Sequence, residues 1–294
     1  MRALAEFIMR GRMQAALVAL LGSGFPLISP ASVALVTLRR GTSDGTLVLM
    51  WGLLPMLVIL ALGHLSSLLV LAGLVTVFTA ALLLRKTGSW STTLMGLSVL
   101  SAALPIVYAV LAPDSVQALV DLSNDALKQM QAQALENGQS SGNASAAQNV
   151  QIQAFGKTFV LGMIAYGVLA NALVGLLLAR WWQAMLYNPG GFQEEFHQLR
   201  LNVVQSALCL LATWYCLQQG VDYMAWVNVF ALPLLMVGVA IVHSVAKALQ
   251  LSWHWLVLFY LALLLFSSYF VLLLMMVAFL DIWLDIRRRL KPKT

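Results

Sequence analysis

Six apolar runs, each about as long as one membrane crossing, dominate this chain: Thr46 to Gly63, Leu65 to Leu84, Ser91 to Leu111, Phe159 to Ala179, Leu201 to Leu217 and Tyr223 to Ala246. Crossing a hydrocarbon layer takes about 20 apolar residues in a helix, because every backbone N–H and C=O must be paired inside the segment. The runs are rich in Leu, Val and Ala and lack the alternation of barrel strands. The whole chain agrees: 61% of its 294 residues are hydrophobic and 10% are charged, against about 25% charged in an ordinary soluble domain. The expected fold class is all-α, a polytopic transmembrane helical bundle forming one integral membrane domain over residues 1–294.

Two further runs do not fit one helix each. Met13 to Leu38 is interrupted by Gly22, Gly24, Pro26 and Pro30. Ser252 to Leu284 would be about 50 Å long at 1.5 Å per residue. Charge arbitrates, because Lys and Arg in short loops stay on the cytoplasmic side. Fifteen of the seventeen Lys and Arg residues lie in short clusters beside the runs. With Arg39 and Arg40 placed inside, the runs put Arg85, Lys86, Arg180 to Arg200 and Lys247 inside too, and residues 112–158 outside. The N-terminal arginines and the Arg287 to Lys293 cluster join them only if the first and last runs go in and come back, the last turning near Ser267 and Ser268. That gives about eight membrane segments with short hairpins at both ends and both termini cytoplasmic. The competing reading keeps two long tilted helices and strands eight basic residues outside. The weak small-residue site after the first arginines is read as part of a retained membrane segment.

The outer segment 112–158 is the one substantial polar region. Val116, Leu119, Val120, Leu127 and Met130 alternate with charges between Asp114 and Leu135, which predicts an amphipathic helix lying on the outer membrane surface or capping the bundle. Glu136 to Asn149 is Ser-, Gly-, Asn- and Gln-rich and predicts a mobile loop. Within it, Asn143-Ala144-Ser145 matches a glycosylation sequon weakly. Cys209 and Cys216 sit two turns apart on one helix, about 10 Å along its axis, too far for a disulfide.

Candidate functional residues fall into two groups. At membrane depth, Asn171, flanked at four-residue spacing by Gly167 and Gly175, is a candidate polar site, with Asn228 and Gln205 as similar candidates. Helix packing explains the same residues. Pro55, Pro105 and Pro233 are expected to kink their helices. On the cytoplasmic side, Arg39 and Arg40, the Arg180-Trp181-Trp182 to Asn188-Pro189-Gly190-Gly191 stretch, Glu194, Glu195, Asp281 and Asp285 form a candidate interaction face. Asp281 and Asp285 are four apart and share a helical face that Arg288 or Arg289 continues, so local ion pairs account for them, although intramembrane carboxylates are often functional. The excess of seventeen basic over eleven acidic residues reflects topology rather than a nucleic-acid partner. The histidines are scattered, so no metal site or cofactor is proposed, and no hydrolase or ATPase signature is found, so the chain is not read as an enzyme.

Leu38-Arg39-Arg40-Gly41, the Arg180 to Phe192 stretch and Leu280-Asp281-Ile282-Trp283-Leu284-Asp285-Ile286-Arg287 together resemble the YybS-like family of bacterial integral membrane proteins. That family is distantly similar to the substrate-binding S components of energy-coupling-factor transporters and to MreD-type shape proteins. The resemblance implies a bacterial cytoplasmic (inner) membrane and no established activity. Extra apolar segments and the long outer loop depart from a six-helix S component and argue against vitamin uptake. Two functional classes follow: a transport-related or solute-binding component, or a non-enzymatic scaffold or assembly factor of envelope machinery. The expected partners are the lipid bilayer and a membrane or cytoplasmic protein.

Overall fold

The computed structural model describes residues 1–140 and 154–289, and every regular element within them is helical. The first apolar run is broken. It holds α2 (Arg12–Leu21) and α3 (Ile28–Arg40), joined by a 3-10 turn at Gly22–Gly24, and the short α1 (Arg2–Arg10) precedes it. Then come α4 (Thr42–Ala61), α5 (Ser67–Thr87), α6 (Trp90–Leu111), α7 (Pro113–Ser140) and α8 (Lys157–Tyr187). The chain continues through α9 (Gly191–His197), α10 (Val203–Gln218), α11 (Met224–Ala248), α12 (Trp253–Leu265), α13 (Ser267–Leu284) and α14 (Ile286–Arg289).

Among the described residues, five segments are long and apolar enough to cross a membrane: α4, α5, α6, α8 and Val221–Ala248, which contains α11. The bent pair α12–α13 makes a sixth if it is one span. The expected eight segments therefore resolve into fewer full-length spans. The difference lies in α10, with 16 residues, and in α2 and α3, with 10 and 13. At 1.5 Å per residue each falls short of a layer about 30 Å thick.

α3 is the core element. Its residues from Ser29 to Leu38 are all buried, so it has no outward stripe, and α2, α4, α5 and α8 surround it. Small residues permit the approach: a side chain at Gly175 of α8 would place its Cβ 2.9 Å from the Pro30 Cβ. Two of its buried hydroxyls turn back on their own helix, Ser32 Oγ donating to Ile28 O and Thr37 Oγ1 to Val33 O, both at 2.7 Å. Its final carbonyls are covered from a neighbour, Arg85 Nη1 donating to Leu38 O at 2.7 Å.

Both doubtful runs return to the end from which they start. Arg40 Nη2 donates to Met9 O at 2.5 Å, and Arg12 meets Asp44 at 2.8 Å, so the entry of the first run lies beside its exit. The last run turns through 118° between α12 and α13, at the expected position. α12 begins just after α11, and the exit of α13 comes back to α11's end: Arg287 donates to His197 O while Lys247 of α11 donates to Gln193 Oε1. Each of these runs is thus a pair of short helices with a break between them, not one long straight helix. The basic links gather at this one end of the bundle.

At the opposite end α7 covers the bundle, with Val116 buried against Tyr108 and Ala112. The Asn124 side chain clamps the chain at Phe155, accepting from its N–H at 2.7 Å and donating to its C=O at 3.2 Å. The expected amphipathic helix is thus present and reaches Ser140. The rest of the expected mobile loop, including the sequon at Asn143, lies outside the described residues, as do Lys291 and Lys293. Large apolar side chains face outward, as on Leu208, Leu211, Trp214 and Tyr215 of α10, and α12 has no buried residue. This pattern suits hydrocarbon surroundings and would be costly in water.

The tight α3–α8 contact yields a contrast within one helix. Gly175→Ala should lower thermal stability in detergent by about 1–3 kcal/mol, because the added methyl overpacks against Pro30. Gly167→Ala, where a Cβ meets nothing within 4 Å, should be neutral or stabilising by up to about 1 kcal/mol. Equal losses for the two variants would contradict the packing described.

Candidate functional site

Where the first run breaks, the bundle leaves a cavity of about 400 Å³ between the 22–30 turn, α5 and α8. Asn171 lies in its wall, fifteenth of the 31 residues of α8, so it sits about 21 Å from one end of that helix and 24 Å from the other. Its Nδ2 donates to Pro26 O at 2.9 Å. That carbonyl belongs to non-helical backbone at mid-depth, which is stable only when protein covers it or a cavity exposes it to polar partners. The walls are mostly apolar, from Phe25, Leu69, Leu74 and Ile164.

Polar groups in this cavity are few. Ser29 lines it, and its buried hydroxyl has no hydrogen-bond partner among the described residues. The first turn of α3 adds an N–H group at the cavity-lining Ser29 that no preceding helical carbonyl can accept, whereas Pro30 supplies none. The cavity can therefore hold a small, largely apolar molecule and offer donors to an acceptor group on it. The other two candidate polar residues are elsewhere. Gln205 lies in the first turn of α10, where it forms a reciprocal capping box with Asn202. Asn228 is exposed and reaches only Met224 O of its own helix, at 3.5 Å. The three do not form one site. Pro55, Pro105 and Pro233 lie inside α4, α6 and α11, and the prolines that shape the cavity are Pro26 and Pro30.

The residues expected on the cytoplasmic face fall into three separate groups of contacts. In the first, Asp44 takes Arg12 and lies 3.8 Å from Arg40. In the second, Arg180 pairs with Glu195, which also accepts from Trp90 Nε1 at 3.4 Å, and Arg39 stacks 4.1 Å over the Tyr187 ring. The Asn188–Gly191 turn borders this group, with Gly190 at φ 89° supplying a left-handed conformation that a side chain would disfavour. Trp182 is 1% exposed and belongs to the core, whereas its neighbour Trp181 faces out. Glu194 takes no part in the Arg180 pair and faces the third group.

The third group is a clamp on the last run. Arg287, buried, donates from Nη2 to Asp281 Oδ2 at 2.8 Å and from Nη1 to His197 O and Leu199 O at 2.7 and 2.8 Å. Asp281, also buried, accepts from the Ile286 N–H at 2.8 Å through its other oxygen. The partner of Asp281 is therefore Arg287 and not Arg288 or Arg289. The reason is local: the helix stops at Asp285, whose φ of 46° turns the chain so that Arg287 folds back. Arg200, from the α9–α10 link, hydrogen-bonds Asp285 and lies 3.7 Å from Asp281. That hydrogen bond holds the Asp285 carboxyl below the usual range. Burial pulls the Arg287 guanidinium down, opposed by its bond to Asp281. Burial, then the charges of Lys247, His243 and Arg287, lower His197.

Sequence reasoning missed Arg200, Arg287 and Ser29 as site residues. The signal for Ser29 was its place between Pro26 and Pro30. Among the described residues no cluster of His, Cys, Asp or Glu is arranged to hold a metal ion. Comparison of the chain with protein-family models, curated proteins and solved structures gives no match.

The clamp predicts an asymmetry between the two aspartates. Asp281→Asn leaves the buried Arg287 charge unpaired and should cost about 3–5 kcal/mol, seen as loss of folded protein in the membrane. Asp285→Asn should be much milder. Combining Asp281→Asn with Arg287→Met should recover folded protein, and failure of that rescue would show that the pair is not the stabilising unit.

Proposed function

We propose that the protein is a solute-binding, transport-related component of a bacterial cytoplasmic membrane, with its basic end and both termini on the cytoplasmic side. The supporting observation is the Asn171 cavity, at the middle of the longest helix and beside a broken, re-entrant helix pair. Broken helices at mid-depth are a recurrent way to present backbone donors to a transported molecule. A packed, dry interior would favour the scaffold reading instead. Resemblance to the YybS-like family fits either reading, and the cavity tips the balance.

The solute expected is small and mostly apolar, with at least one acceptor for the α3 first turn. Native mass spectrometry of protein extracted in mild detergent should detect a co-purified or added small molecule. Asn171→Leu, which also removes the donor to the Pro26 carbonyl and so is scored on the fraction of protein that remains folded, should weaken its retention at least 10-fold. Retention unchanged by that substitution would remove the cavity from consideration and turn attention to an envelope scaffold.

Orientation is checked separately. In right-side-out membrane vesicles, Lys128→Cys should react with an impermeant maleimide, and Lys86→Cys should react only after permeabilisation. The native Cys209 and Cys216 are both buried and should give little background. The reverse labelling pattern would overturn the assignment of sides.

A further inference from the structure

A second, larger opening lies at the basic end, about 690 Å³ in volume, between the α9–α10 link, the end of α11 and the α13–α14 elbow. Arg200, Lys247, Arg287 and Arg288 line it, against Glu194 and Asp285. Even with Asp281 behind them counted, cations exceed carboxylates. Arg288 is 86% exposed and 3.8 Å from its nearest carboxylate, and Lys247 holds only an amide oxygen, at 3.2 Å. These two charges are available to an incoming group, whereas Arg287 is committed to the clamp with only its Nε lacking a partner.

We infer that this cleft binds a phosphate-bearing anion at the level of the lipid headgroups, with Asp285 as an internal carboxylate occupying part of the site when it is empty. Several features converge on phosphate. Arginine guanidinium groups match its oxygens in paired hydrogen bonds, and a lysine adds a mobile point charge. The opening is far larger than the Asp285 carboxylate that hydrogen-bonds Arg200. Trp253 and Trp255, exposed at the start of α12 a few residues beyond the cleft-lining Ala248, favour the headgroup layer and place the cleft there. Basic pockets between membrane helices at that depth are suited to anionic headgroups. Asp285 sits in a left-handed conformation, rare for a residue with a side chain, which directs its carboxylate to Arg200 across the cleft. An anion that took over Arg200 would release that carboxylate. The site is separate from the Asn171 cavity and does not depend on its role.

Two sources share this chemistry: an anionic phospholipid and a soluble phosphate compound. The full chain, purified in neutral detergent and stripped of lipid, is titrated with phosphatidylglycerol by native mass spectrometry and with inorganic phosphate by calorimetry, with phosphatidylcholine as the zwitterionic control. Binding of either anion in preference to phosphatidylcholine is expected, and which one binds identifies the source. Arg200→Gln with Lys247→Gln should weaken it at least 10-fold. Arg288→Gln, on an exposed side chain, should weaken it several-fold without changing the melting temperature. Asp285→Asn should tighten it several-fold, since Asn tolerates the left-handed turn but no longer competes. No preference for either anion, binding indifferent to Arg200, Lys247 and Arg288, or weaker binding in Asp285→Asn would each overturn the inference.

Discussion

The arrangement rests on one short buried helix. At 13 residues α3 covers about 20 Å, so it cannot reach across a hydrocarbon layer, and both of its ends must be satisfied by other parts of the protein. At the C-terminal end the chain answers with Arg85 on the Leu38 carbonyl and with Arg40 reaching back to Met9. At the other end, where the unpaired groups of α3 are N–H donors, Asn171 instead covers the Pro26 carbonyl of the preceding turn. The surrounding helices follow from this. α8 and α4 must carry glycine or a small residue where they cross α3, as at Gly175 and Gly52, because ten consecutive buried positions leave no side free for bulk.

The cavity is a consequence of the same shortfall. A turn of irregular backbone at mid-depth exposes N–H and C=O groups that lipid cannot satisfy, so protein must enclose it. Enclosure is incomplete here because α5 contributes Gly73 and α8 contributes Gly167 to the walls, and neither offers a side chain to fill the space. Polar groups that would destabilise a packed core, such as the unpartnered Ser29 hydroxyl, are then placed where a ligand can use them. The stabilising device and the candidate binding site are the same few residues.

Much of this was legible in the sequence, for identifiable reasons. Apolar length and Lys/Arg placement depend on the bilayer rather than on tertiary detail, so the runs, the two returns and the clustering of charge could be read directly. The break before α3 is visible in the Gly22, Gly24, Pro26 and Pro30 cluster, residues that the interior of a helix disfavours. Partner choice was not. Helical spacing put Asp281 and Asp285 on one face with Arg288 or Arg289, but the left-handed Asp285 ends that helix and brings Arg287 round instead. Trp181 and Trp182 differ by one position, and only packing decides that Trp182 is core. Asn202-x-x-Gln205 spells a helix start, which the apolar run beginning at Leu201 hides.

The hairpins also explain why the basic end stays whole. Between Arg40 and Lys247 the chain goes from one end of the bundle to the other six times, through α4, α5, α6, α8, α10 and α11. α10 belongs in this series despite its 16 residues: it starts beside Arg200, which is tied to Asp285, and leads to Asp222, which accepts from the Gly156 N–H at the far end. The extended residues before it supply the missing length, at roughly 3.3 Å each. An even number of traversals returns the chain to its starting side, and a hairpin at each terminus leaves that parity unchanged. If either outer run were a single crossing, its terminal arginines would sit at the opposite end, and the Arg12–Asp44 or Arg200–Asp285 pair could not form. The two broken runs are thus what allow every basic link to meet its partners at one end.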